Sequence, residues 1–253
     1  MLKKLALISS LALFTFTQQA IAFSIGNVIS NSGEDLVKAA TLSEEDVITE
    51  SRAAVEYLDT SNNLSEKNGK ASKRLDQIVS RIKLPEIDGV VFNFKVYETA
   101  DDDVNAFATP DGSIRVNSGL MKAMSDDQVL AVLGHEIGHV VEKHSFKQMK
   151  KALLASAAIR AAAGESQIGT VAYNAGMGEI MHKFAESSFS KSDELSADKY
   201  SLKVLKEAGA KPDAMLSVIK FFQDTYGDSG GMLSSHPSNK KRLKKLQKAI
   251  DQS

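Results

Sequence analysis

The chain has 253 residues, 25% of them charged and 43% hydrophobic, with a formal net charge of −1 and no cysteine. That length is enough to bury one sizeable core. The near-neutral balance gives no whole-domain case for binding nucleic acid, and without cysteine no disulfide contributes to stability.

The N-terminus reads as an export signal. Met1-Leu2-Lys3-Lys4 is a positive leader, Leu5 to Phe16 an apolar run, and Ala20-Ile21-Ala22 a small-residue cleavage sequence. The run is too short for a comfortable membrane span, so residues 1–22 are expected to be removed before Phe23. No cysteine follows the cleavage site, which excludes the lipoprotein route. The product is then periplasmic, or secreted if the source has a single membrane. Removing Lys3 and Lys4 leaves 29 of the 31 basic residues against 32 acids, a net charge of −3. Residues 23–85 are expected to brace a catalytic core at 86–253, the two forming one compact domain. Within the first part, residues 34 to 83 read as two polar helices with Asn62-Asn63 between them.

Val90 to Tyr97 alternates apolar and polar residues, as a half-buried strand should. Thr109-Pro110-Asp111-Gly112 is a turn signal between Ala106-Phe107-Ala108 and Ile114-Arg115-Val116. A helix then opens on the capping box Ser125-Asp126-Asp127-Gln128, with acids facing its positive end. Val129, Val132, Leu133, Ile137, Val140 and Val141 continue it as an apolar stripe.

Within that helix lies His135-Glu136-Ile137-Gly138-His139. Residues four apart stack one turn above each other, so the two imidazoles can close on one metal ion. Glu136 is offset by about 100° and can reach a metal-bound water without joining the coordination sphere. This is the H-E-x-x-H arrangement of metalloproteases. The bland alternative is a core helix whose histidines are merely hydrogen-bonded. A catalytic zinc needs a third protein ligand. Glu142 lies roughly 10 Å along the axis from His135, and His144 about 180° around the helix, so neither serves. The metzincin spacing also fails, because its glycine and third histidine positions hold Glu142 and Ser145.

The third ligand is therefore expected on a second helix, beginning near Ser190-Lys191-Ser192-Asp193 and ending at Ala208, with Gly209 as its stop and Pro212 beyond. Glu194 and Asp198 share one face of it. Glu194 can bind the metal while Asp198 accepts a hydrogen bond from the outer nitrogen of a ligand histidine; the alternative is a solvated acidic face. Lys150 to Gly164 is alanine-rich but carries Arg160 and reads as a packing helix. Glu179-x-x-His182 has no second copy, so it does not make a di-iron site. The last helix presents Lys240, Lys241, Arg242, Lys244, Lys245 and Lys248 around a Leu243, Leu246 and Ile250 stripe. Six such cations can touch an anionic membrane surface peripherally at low salt, though a solvated face is the plainer reading.

The set Val104-Asn105-Ala106-Phe107-Ala108, Ile114-Arg115-Val116, Ser118-Gly119-Leu120-Met121, His135-Glu136-x-x-His139, Glu194-x-x-Ala197-Asp198 and His236-Pro237 with Arg242 spans most of Val96 to Arg242. It resembles the HtpX-like and prenyl-protein-endopeptidase family of zinc metallopeptidases, particularly its small periplasmic branch. The resemblance implies a gluzincin fold, one Zn2+ per chain held by His135, His139 and Glu194, and Glu136 as general base. It also implies an edge strand around Asn105, Ala106 and Phe107 that pairs with an extended substrate backbone. Members of that branch are lipoproteins with cysteines; an anchor and disulfides do not carry over to a chain with none.

Peptide hydrolysis develops an oxyanion that calls for a second donor beside the metal, and His236 is the candidate. His236 also follows the glycine-rich stretch Gly227-Asp228-Ser229-Gly230-Gly231. A mobile loop there would let it swing onto the open metal position and hold the enzyme latent; a surface histidine before proline is the third option. The expectation is a mainly helical α+β domain with a small sheet beside the zinc helix. Its expected activity is zinc-dependent endoproteolysis of unfolded or misassembled envelope proteins. The rivals are a periplasmic chaperone or assembly factor with a latent or structural zinc site, and a hydrolase of small peptides. The sequence carries no signal for oligomeric state.

Overall fold

A computed structural model describes residues 41–163, 170–227, 231–237 and 240–252. The expected leader, and residues 228–230 of the glycine-rich stretch, lie outside the described residues.

Among the described residues the first full helices are α1 (Glu44–Ser61) and α2 (Lys70–Val79), where the polar pattern predicts two. A capping box of Ser43 with Asp46 starts α1, and Asn62 ends it. Three short strands follow: β1 (Asn93–Tyr97), β2 (Ala106–Ala108) and β3 (Ser113–Asn117). They form one sheet in the order β1-β3-β2, with β1 parallel and β2 antiparallel to β3. β2 is therefore an edge strand.

The first strand is shorter than the alternation from Val90 predicts. β3 begins only after the Thr109–Gly112 turn, so residues 90–92 have no ladder partner. Val90 and Val91 instead donate to the carbonyls of Ile87 and Asp111, and Val91 is 68% exposed. Gly112 has a φ of 89°, and a Cβ there would lie 2.7 Å from Val90 Cγ1; the turn needs glycine. The buried Asp111 carboxylate accepts hydroxyl bonds from Thr109 at 2.7 Å, Ser113 at 2.6 Å and Ser51 of α1 at 3.0 Å. Those bonds pin the hairpin to the first helix.

Helices supply the rest: α3 (Ser118–Ala123), α4 (Asp126–Val141), α5 (His144–Ala163), α6 (Thr170–Glu186), α7 (Lys191–Glu207), α8 (Ala214–Tyr226) and α9 (Lys240–Asp251), with a 3-10 turn at Gly231–Ser234 before the last. The structure is thus α+β and mostly helical, with a small mixed sheet. The α4 helix is its axis. Its predicted apolar stripe is buried except for the half-buried Val141, and so is every residue from Val129 to Val140, because sheet, α7 and α8 enclose it. Ile114, Val116, Leu130, Leu133, Val204, Ile219 and Phe222 are among the side chains joined in that core. Each large apolar side chain so buried contributes about 1.5–3 kcal/mol. A second cluster joins Val47 and Ala54 of α1 to Met149 of α5 and Met177, Ile180 and Phe184 of α6. The alanine-rich segment is the packing helix α5, and among the described residues no helix is long and apolar enough to cross a membrane.

One reading of the last helix needs correction. Leu246 is buried and Leu243 and Ile250 are half-buried, but Arg242 is only 1% exposed and does not belong to the solvated basic face. Two buried carboxylates hold it inside.

Candidate metal centre

Two helices build the centre. The capping box of Ser125 and Gln128 starts α4 as the sequence predicts, and α7 starts where predicted, on a capping box of Ser190 and Asp193. They run against each other through small residues. A Cβ on Gly138 would lie 2.9 Å from Tyr200 Cβ and 3.0 Å from Ala197 Cα; one on Gly134 would lie 3.0 Å from Ser201 Cα. The two glycines that flank and interrupt the histidine motif therefore set the helix separation. Ser201 Oγ locks it by donating to the Ala131 carbonyl at 2.7 Å.

At that separation the donors converge. His135 Nε2 is 3.0 Å from His139 Nε2, His139 Nε2 is 3.3 Å from Glu194 Oε1, and His135 Nε2 is 3.6 Å from Glu194 Oε2. A tetrahedron around zinc with bonds of ~2.0–2.1 Å has edges of about 3.3–3.4 Å. The three donors fit one zinc ion. His236 Nδ1 stands 3.1 Å from both His135 Nε2 and Glu194 Oε1, at the fourth corner. All four side chains are buried, and one donor atom from each lies within 4.8 Å of the others. Imidazole nitrogens turned toward one another in this way need a cation or a shared proton between them.

Asp198 Oδ1 lies 3.2 Å from His135 Nδ1, on the outer side of that ring, which is where a carboxylate fixes the tautomer that frees Nε2 for metal. Arg242 then grips Asp198 through Nε at 2.6 Å and Nη2 at 2.8 Å, and reaches Glu194 Oε2 through Nη1 at 2.5 Å. The same Nη1 donates to the His236 carbonyl at 3.2 Å. One guanidinium thus ties α9 to both carboxylates and to the His236 segment. Sequence reading missed this role. The signal was present: Arg242 precedes Leu246 by four residues and so shares its buried face.

Charge in the site follows from this arrangement. Burial alone would raise the Glu194 carboxyl, but His236, His135 and Arg242 together hold it well below the usual carboxylate range. Asp198 is likewise lowered against its burial, chiefly by Arg242. Glu136 goes the other way: burial raises it, only partly offset by His236 and His135. A hydrogen bond from the Ala108 backbone amide also favours its charged form. Its Oε1 is buried without a hydrogen bond, 3.5 Å from His236 Nε2. A carboxylate that takes a backbone hydrogen bond and whose Oε1 has, among the described residues, no hydrogen-bond partner is suited to taking a proton from water.

Glu136 and His236 line a cavity of about 530 Å³ whose wall includes Asn105, Ala106, Phe107 and Ala108. The predicted substrate segment therefore borders the same space as the predicted base. Phe189 lines it too, stacked on the His139 ring with centroids 3.7 Å apart, and its amide donates to the Ser235 carbonyl at 3.0 Å. Of the residues set aside in the sequence, Glu142 caps α4, and His144 stays outside the donor cluster but touches the far side of His139. His182 is on the cavity rim, 3.4 Å from Glu186.

A buried two-histidine, one-glutamate set on paired helices, with a glutamate beside it and a small sheet alongside, defines a zinc metalloendopeptidase of the gluzincin kind. The chain belongs to peptidase family M48, whose sequence pattern matches residues 65–250. It is similar to Metalloprotease YcaL of Escherichia coli (strain K12), 32% identical over 247 residues, which are 97% of this chain and 96% of that protein. Metalloprotease LoiP of the same strain is 35% identical over 221 residues, covering 87% of this chain and 86% of that one. A protein named putative beta-barrel assembly-enhancing protease, from Vibrio cholerae serotype O1, is 30% identical over 160 residues, 59% of this chain and 33% of its own length.

Proposed function

We propose that this metalloendopeptidase holds its zinc with His135, His139 and Glu194, and uses Glu136 as general base to cut unfolded or misassembled proteins of the cell envelope. The observation that carries the reading is the placement of Glu136 Oε1, without a hydrogen bond, beside the donor cluster and at the wall of the cavity. When bound, zinc supplies Lewis acidity that polarises a scissile carbonyl and brings water into nucleophilic range near neutral pH. Glu136 takes the proton of that water and returns it to the leaving amine. Asp198 holds the His135 tautomer, and Arg242 keeps both carboxylates ionised.

The substrate lies along β2. Among the described residues its outer edge has no strand partner, so an extended polypeptide can add as a strand beside Asn105, Ala106 and Phe107; the pairing with β3 turns the main-chain groups of Asn105 and Phe107 inward and leaves those of Ala106 to meet it. Such binding selects for an available extended backbone more than for sequence, which favours unfolded chains. The envelope assignment takes support from the leader-like N-terminus and from the relative named for β-barrel assembly. Purified chain starting at Phe23 should cleave unfolded casein but not a compact folded protein, lose this with a chelator and regain it with zinc. Binding of casein by zinc-loaded protein without cleavage would instead support the chaperone alternative.

His236 has a specific reading within this scheme. Its Nδ1 sits at the fourth corner of the donor set, which supports a latent state closed by histidine. An oxyanion donor would have to leave that corner. His236→Ala should raise basal casein cleavage if the side chain closes the site and lower it if the side chain stabilises the oxyanion.

A further inference from the structure

The far side of His139 carries a second, unassigned arrangement. Helix α4 ends at Val141, and Lys143 adopts a φ of 56°, a left-handed conformation unusual for a side-chain-bearing residue. That reversal starts α5 and folds His144 back beneath α4. His144 Nδ1 then lies 3.2 Å from His139 Nδ1, the nitrogen that faces away from the donor cluster. His144 Nε2 lies 3.3 Å from Asp193 Oδ1 and 3.4 Å from Ser196 Oγ. The other oxygen of Asp193 accepts the Ser190 amide at 3.1 Å as part of the α7 capping box. His144 is itself buried, 6% exposed.

We infer that His144, backed by Asp193, is a positioning residue that fixes the tautomer and orientation of His139 for zinc. The inference rests on the reading that His139 binds through Nε2. An imidazole that gives Nε2 to a metal carries its proton on Nδ1 and needs an acceptor there. His135 has Asp198 in that place; among the described residues no carboxylate meets His139 Nδ1, and His144 Nδ1 takes the position instead. To accept, His144 must carry its own proton on Nε2, which points at Asp193. The chain of bonds is therefore directional, from His139 Nδ1–H to His144 Nδ1 and from His144 Nε2–H to Asp193. It couples the first turn of the helix that bears Glu194 to a histidine of the other helix.

The test begins with the unmodified protein labelled with 15N at its five histidines. Long-range 1H–15N correlation of the zinc-loaded form should show His139 protonated on Nδ1 with a shifted Nε2, and His144 neutral and protonated on Nε2. Zinc affinity by chelator competition should then fall about 10–100-fold in His144→Leu, and His144→Asn, which keeps an acceptor near the Nδ1 position, should recover most of it. Asp193→Asn acts from the far end and should weaken zinc in the same direction if His144→Leu does not fold. A proton on His144 Nδ1, or zinc affinity in His144→Leu equal to that of the parent, overturns the inference. His139 signals that do not respond to zinc would overturn the ligand assignment instead, so the two failures are distinguishable.

Discussion

Replacing Arg242 by methionine keeps much of the aliphatic volume and deletes the guanidinium that two buried carboxylates share. In the parent chain that group makes bonds of 2.6 and 2.8 Å to Asp198 and a 2.5 Å contact to Glu194, with all three residues at most 2% exposed. Removing one partner of a buried ion pair costs about 3–5 kcal/mol, because the remaining charge stays desolvated. Against a typical domain stability of about 5–15 kcal/mol this is a large fraction. The sign of its pH dependence follows from the carboxylates. Both are held below their ordinary values of 3.8 and 4.5 in the parent fold. Their contribution is therefore present above the ordinary carboxylate range and is lost as pH falls through and below it. In the variant they lose their cation and protonate more readily, so its deficit should be full at pH 8 and smaller at pH 5. Urea unfolding of chelator-treated parent and Arg242→Met at both pH values measures this without a contribution from zinc. A deficit below about 1 kcal/mol at pH 8, or one that does not shrink toward pH 5, would refute the clamp.

Two further predictions concern packing and burial. Gly138→Ala places a methyl 2.9 Å from Tyr200 Cβ, so α7 must move outward. Overpacking of about 1–3 kcal/mol exceeds the gain in helix propensity of about 1 kcal/mol, and zinc affinity should fall about tenfold because Glu194 rides on the displaced helix. A more stable variant with parental zinc affinity would show that the contact does not set the site. Burial pushes Glu50, on α1, up to about 7 from 4.5, aided by Asp46, and its Oε2 has no hydrogen bond. Stability from this group is complete below pH 4.5 and is lost as pH rises through about 7. Glu50→Gln should therefore remove a decline of about 3 kcal/mol between those limits, read as the change in unfolding free energy from pH 4.5 to pH 8; an unchanged slope would refute it.

Local chemistry made much of the centre legible. The capping box at Ser125 locates the first of the two helices, since its partners are three residues apart in sequence, and the Gly209 stop with Pro212 beyond it bounds the second. Four-residue spacing put His135 over His139 and Glu194 over Asp198, which is why those residues meet once the helices pack. What escaped depends on distant partners. Arg242 sits among lysines, and its bonds to Asp198 and Glu194, 44 and 48 positions away, take it out of the solvated face. His144 is outside the donor set, as helical spacing predicts, but its contact with His139 depends on the left-handed backbone of Lys143, which no residue pattern announces. The first strand is shorter than its alternation for a similar reason: the pattern continues back to Val90, but the partner strand does not.

The central claim is that Glu136 acts as the base of a zinc peptidase, and the most direct test compares zinc-loaded chain from Phe23 with its Glu136→Gln variant. Zinc content and melting temperature must match, and cleavage of unfolded casein is then followed over time. With Glu136 as the base, the rate should fall about 10²–10⁴-fold at equal zinc occupancy. Equal cleavage by both proteins, or binding of casein by both with cleavage by neither, would contradict it.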